Sequence, residues 1–127
     1  MTDDPTRPFG PNAFVLDAKL KDYVLSPTHR VGANKARVFK SALGIGADQS
    51  DVLKQALLEA ARSELPNFMR EDAYGKHYAI VFELYYGEKS AFVRSLWTIK
   101  PDRNFAELVS AFVINSKRAS SKEKVND

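Results

Sequence analysis

The chain holds two histidines, His29 and His77, no cysteine, and 19 lysines and arginines against 16 aspartates and glutamates. Those residue types bound the chemistry open to it. Without cysteine there is no thiolate nucleophile, no disulfide scaffold and no cysteine-ligated zinc. Two histidines are too few for a histidine-rich metal cage, so neither a metal site nor a cofactor is expected. What remains is proton transfer by imidazole, which titrates near neutral pH, and anion binding by guanidinium and ammonium groups. The densest group of such residues is His29-Arg30-Val31-Gly32-Ala33-Asn34-Lys35-Ala36-Arg37. It puts an imidazole in a loop and Lys35 in the first turn of a helix predicted over 34–43. A lysine there opposes the helix dipole, so its presence invites a functional reading. A helix start flanked by His29, Arg30, Lys35 and Arg37 makes a compact phosphate-attracting site. On the plainer reading His29 caps or packs, and the basic side chains lie on a wet face.

A second group is set by strand arithmetic. The segments 77–86 and 90–100 are rich in aromatic and β-branched residues and flank Gly87-Glu88, which reads as a two-residue hairpin turn. That register puts Tyr78, Ile80, Phe82, Leu84, Ala91, Val93, Ser95 and Trp97 on one face, the natural surface for helices to cover. His77, Ala79, Val81, Glu83, Tyr85, Phe92, Arg94, Leu96 and Thr98 take the other. Arg94 lies diagonally from Glu83 on this mixed face. Two readings stand side by side: a cross-strand ion pair on an exposed sheet, or a guanidinium displayed on a rigid platform for a phosphate. Trp97, on the apolar face, reads as core.

These residues must be positioned by elements that change period once. From Asp17 to about Leu65 the pattern is helical. A short helix capped by Asp17 carries Leu20, Tyr23 and Val24 and stops at Ser26-Pro27. A second covers 34–43 and ends at Gly44, with Val38, Phe39, Ala42 and Leu43 inward. A third starts near Asp48 or Ser50 and carries Leu53, Leu57, Ala60 and Ala61 before Pro66. Residues 67–74 read as a polar loop, after which the period becomes two, ending in a strand over 108–115. Three helices followed by, and packed on, a small mainly antiparallel sheet is an α+β fold. Its core is expected from Leu20, Val38, Phe39, Leu53, Leu57, Ile80, Phe82, Val93 and Ile99.

With 127 residues, 44% hydrophobic and 28% charged, the chain has the proportions of one soluble domain and too many aromatics for disorder. Residues 1–11, with three prolines, read as an irregular arm, 12–115 as the domain, and 116–127 as a flexible charged tail. No apolar run approaches the ~18–20 residues of a membrane span, and no secretory signal is read at the start. A cytoplasmic protein without a membrane partner is therefore expected. The net charge of +3 suits nucleic acid or an acidic protein partner without requiring either. Composition does not reach the oligomeric state.

One motif string goes further. Leu20-x-x-Tyr23-x-Leu25-x-x-x-His29-x-x-Gly32-x-x-Lys35-Ala36-x-x-Phe39, followed by Ala42-Leu43-Gly44, resembles an uncharacterised, toxin-associated bacterial domain family. Tyr78-x-Ile80-x-Phe82 and Val93-Arg94-Ser95-x-Trp97-x-Ile99 fit the same resemblance. The family's layout is similar in turn to the Barnase–EndoU–colicin–RelE group of ribonuclease-like toxins. The resemblance implies a toxin of a toxin–antitoxin system, an endoribonuclease that cleaves cellular RNA without metal. It implies His29, Lys35, Arg94 and Ser110 as catalytic residues and Arg30, Arg37, Tyr85 and Phe112 as RNA contacts. Ser110-x-Phe112 stands where the group's last strand often carries a Ser/Thr-x-Tyr/Phe pair. It also implies a cognate small antitoxin protein, acidic to complement the basic toxin. The rival readings are a non-catalytic module that binds RNA or an acidic partner, and an immunity-type protein, for which an acidic surface is the commoner balance.

Overall fold

The computed structural model describes residues 9–10, 13–26 and 33–114, so His29 and Arg30 lie outside the described residues, as do most of the arm and the whole tail. The hairpin dictates the rest. Gly87 adopts φ 63°, the left-handed conformation that a two-residue turn needs, and Tyr86 pairs with Lys89 across it. The two strands, β2 (Gly75–Tyr86) and β3 (Lys89–Ile99), therefore keep the predicted register along their whole length. β1 (Asn67–Asp72) and β4 (Glu107–Ile114) complete an antiparallel meander in the order β1-β2-β3-β4.

The apolar hairpin face is buried as expected and meets the helices. α1 (Asp17–Lys19) runs on as a π-helical turn over Leu20–Val24, closed by Leu25 N donating to Leu20 O. α2 (Ala33–Leu43) packs on β3 and β4, whereas α3 (Ser50–Ser63) packs on β2. Leu53, Leu57, Ala60 and Ala61 are the buried stripe of α3. Trp97 is fully buried, and its indole N–H donates to Ser95 Oγ at 2.8 Å, which donates to Ile80 O at 2.9 Å. This closed chain satisfies the polar atoms that the apolar face carries inward. Phe9 packs on the edge of Tyr78, with ring centroids 5.3 Å apart, and on Trp97 at 5.8 Å, so part of the arm belongs to the core.

Four expectations need correction. Residues 67–72 form a strand, not a loop; all six are exposed, so no alternation marks them, and a bulge between Phe68 and Arg70 twists this edge. Val38 is 43% exposed, because α2 turns Ala36, Phe39 and Leu43 inward and leaves Val38 on its outer side. Ile99, at the end of β3, is half-buried and packs against the core instead of within it. Asp17 does not cap α1: Leu16 is the N-cap, and the Asp17 carboxylate accepts from Lys54 Nζ at 2.8 Å, tying α1 to α3. That contact with Lys54 holds the Asp17 carboxyl below its ordinary pKa.

Candidate functional site

The sheet face turned away from the helices carries the polar chemistry, arranged in cross-strand rows. One row runs Val81–Arg94–Phe112, the next Ala79–Leu96–Ser110, and the last Arg70–His77–Thr98–Glu107. Alternate residues of a strand repeat about every 6.7 Å, so Arg94 and Thr98 stand ~13 Å apart on one face. Register alone thus aligns a guanidinium, a hydroxyl and an imidazole on a single surface.

Several predicted site residues meet here. Arg94 and Phe112 are direct cross-strand partners. Lys35, from the first turn of α2, reaches the same place, its Nζ 4.8 Å from the Phe112 ring centroid. That cation–π contact, worth ~0.5–1 kcal/mol, offsets the unfavourable position of Lys35 in the helix dipole. Ser110 occupies the adjoining row; it is buried, and its Oγ has no hydrogen-bond partner among the described residues. Others stand apart. Arg37 is exposed and donates to Asn34 Oδ1 at 2.6 Å, on its own helix. Tyr85 is 70% exposed near the Gly87 turn, where its hydrogen bond to the Glu83 carboxylate pushes the phenol pKa up.

Arg94 lies on the outer face as expected, but it does not pair with Glu83. Its Nη2 sits 3.9 Å from Met69 Sδ on β1, a weak contact that leaves the guanidinium uncommitted to any carboxylate among the described residues. Glu83 instead lies beside the Tyr85 phenol, whose pKa it raises.

Beside these residues opens a cleft of about 510 Å³, bounded by Arg70, Tyr74, His77, Leu96, Thr98 and Lys100. Its polar wall is a continuous hydrogen-bond chain. His77 Nε2 lies 2.8 Å from Asp72 Oδ1, and His77 Nδ1 lies 2.8 Å from Thr98 Oγ1. Asp72 Oδ1 also accepts from Tyr74 N at 2.9 Å, and Arg70 Nε lies 3.5 Å from Asp72 Oδ2. The His77 hydrogen bond, foremost among these, holds the Asp72 carboxyl below its ordinary pKa. Across the cleft Glu107 is clamped by Arg103 Nη1 at 2.8 Å and Lys100 Nζ at 3.3 Å. Among the described residues no group of three or more His, Asp or Glu side chains is placed to hold a metal, and no helix is long and apolar enough to cross a membrane.

Asp72 and Thr98 were not singled out by sequence reasoning. Asp72 fell within the supposed loop, and the Thr98–His77 pairing follows from the hairpin register, which was in hand. The missing signal was the extra strand that brings Asp72 back to the imidazole.

Residues 11–115 match the family described as "Domain of unknown function (DUF6883)". The chain belongs to that family. Its fold is similar to a chain of a "Contact-dependent growth inhibition toxin - immunity protein complex from Klebsiella pneumoniae 342". The TM-score is 0.64 at 17% identity, covering 82% of this chain and 95% of that one. No curated protein matches the chain. At that identity the likeness establishes a shared α+β fold.

Proposed function

We propose that this DUF6883 domain is the toxin component of a bacterial toxin–antitoxin pair, an endoribonuclease that contacts cellular RNA through its outer sheet face. The observation that carries the reading is the meeting of Lys35, Arg94 and Phe112 on that face: two cations from different elements beside an aromatic ring. Cations hold phosphate, and an aromatic ring stacks an unpaired base in any sequence. The net charge of +3 and the fold shared with a chain of a toxin–immunity complex support the same reading. A small acidic protein that covers the cationic face would restrain it.

RNA cleaves itself when its 2′-oxygen, deprotonated, attacks the adjacent phosphorus in line with the departing 5′-oxygen. Lys35 and Arg94 would stabilise the added negative charge, the contribution that is usually largest. His29, which lies outside the described residues, is the proton-transfer group that the family resemblance implies. Arg30 in the same stretch, together with Phe112, would contact the RNA around the cut, Arg37 and Tyr85 would contact it farther along, and Ser110 would contribute a hydroxyl.

The test is induced expression in a bacterial host, following growth and the integrity of cellular RNA. Wild type should arrest growth and fragment RNA, and Lys35→Ala and Arg94→Ala should each relieve both while folding normally. Arrested growth with intact RNA, retained on purification as a salt-sensitive complex, would favour a module that binds without cutting. Unimpaired growth would remove the toxin reading.

A further inference from the structure

The cleft beside Arg94 contains a proton-transfer arrangement that neither the family nor the structural likeness assigns. We infer that Asp72, His77 and Thr98 form an acid–base relay acting on a ribose 2′-hydroxyl of the RNA; the inference rests on the ribonuclease reading of the same face and gives the base role there to His77 in place of His29. Hydrogen placement follows from the donors available. An ionised carboxylate only accepts, so the hydrogen between Asp72 and His77 belongs to Nε2. In the neutral ring Nδ1 is then an acceptor, and the hydroxyl at 2.8 Å donates to it. Thr98 is buried but lines the cleft, and its Oγ1, the donor to His77, retains acceptor capacity there.

This order of groups moves a proton in one direction. A substrate 2′-hydroxyl bound in the cleft donates to Thr98 Oγ1. As the 2′-oxygen bonds to phosphorus, its proton passes to Thr98, whose own proton passes to His77 Nδ1. The P–O5′ bond breaks, leaving a 2′,3′-cyclic phosphate; the 5′-oxygen takes a proton from a water, and the hydroxide left takes the Nδ1 proton, which restores neutral His77. Asp72 stabilises the imidazolium that forms, the role of the carboxylate in any nucleophile–base–carboxylate chain.

The surroundings fit this use better than a purely mechanical one. A clip for the β1–β2 hairpin needs only Asp72 with Tyr74 N and His77; it has no need of a hydroxyl on the far side of the ring. Charges on every neighbouring element bear on the imidazole: Arg70 on β1, Lys100, Asp102 and Arg103 in the loop after β3, and Glu107 on β4. Most are paired within the set, Arg70 with Asp72, Lys100 and Arg103 with Glu107, and Arg103 also with Asp102 at 3.9 Å. Arg70 is exposed and borders the cleft, which places its guanidinium to hold the scissile phosphate. With the cut placed at Thr98, ~13 Å from Arg94, the relay moves Arg94 and Lys35 from the scissile phosphate to a neighbouring one and leaves the added charge to Arg70.

The experiment compares wild type, His77→Gln, Asp72→Asn, Thr98→Val and Thr98→Ser on a defined single-stranded RNA in excess, with chelator present and a thermal melt for each protein. His77→Gln and Thr98→Val should lose on the order of 10²–10⁴-fold in rate. Thr98→Ser, which restores the hydroxyl, should recover most of it, a rescue that packing alone does not predict. Nitrogen NMR of the wild-type ring should find the hydrogen on Nε2 and Nδ1 accepting. Wild-type cleavage matched by folded His77→Gln overturns the relay and leaves the ribonuclease reading standing. If His77→Gln does not fold, equal rates for Thr98→Val and wild type overturn it in the same way. Failure of wild type to cleave any RNA removes both.

Discussion

The two faces of the β2–β3 hairpin share a backbone, a register and a turn, yet they handle polar atoms in opposite ways. On the inner face the Trp97 N–H and the Ser95 hydroxyl run into the Ile80 carbonyl and stop there, with both side chains fully buried. On the outer face the chain from Asp72 through His77 ends on Thr98, a buried residue that nevertheless lines a cleft. A closed chain can only hold a fold together. One that ends at a cavity can pass a proton or bind a substrate. The strand period of two lets one hairpin do both, because residues one apart never share a surface.

The sharpest contrast between the faces is energetic. Trp97→Ala should cost about 3–5 kcal/mol in urea unfolding, since it empties the largest buried side chain and removes the donor to Ser95 Oγ. Arg94→Ala, which among the described residues loses a long side-chain contact to Met69, should fall within about 0.5 kcal/mol of wild type. Comparable losses would erase the distinction between a packing face and a working one.

Gly75 sits where the two faces begin. It is buried with φ 130°, and a Cβ there would run into the Ile99 carbonyl. Gly75→Ala should therefore lose roughly 1–3 kcal/mol from backbone strain and close approach. It should also disturb the Asp72–His77 contact next to it, seen as a change in the His77 ring resonances. An unaltered melt would show that the turn tolerates the side chain.

The smallest expected effect is a pH dependence. The Asp72 carboxyl is held below its ordinary value, chiefly by the His77 hydrogen bond. A carboxylate whose pKa is lower folded than unfolded adds stability above the unfolded value, about 3.9, and loses it as pH falls through the folded one. Wild type should thus exceed Asp72→Asn in urea midpoint at pH 6, and the gap should narrow below about pH 4. A gap that widens on acidification would contradict the pairing.

How far the sequence carries depends on whether the decisive contact is local. The hairpin was legible because Gly87 fixes the turn and the alternation of Ile80, Phe82 and Leu84 with their neighbours fixes the faces. The Arg94 placement followed from that register, although its partner did not. β1 was hidden because an exposed, charged edge strand shows no alternation, and the Asp72–His77 half of the relay was hidden with it. The Lys35–Phe112 contact spans helix and sheet, so no spacing announces it. Val38 was expected inward with Phe39, Ala42 and Leu43, whereas the structure leaves it on the outer side of the helix and buries the smaller Ala36.

The claim that the outer face works on RNA is tested most directly by one comparison. Purified wild type and the Lys35→Ala/Arg94→Ala double variant are incubated with total cellular RNA and chelator, and the RNA ends are mapped. The account predicts discrete cuts bearing 2′,3′-cyclic phosphates with wild type, and their loss in a double variant that melts like wild type. Undiminished cutting by the double variant, or intact RNA with both proteins, would contradict it.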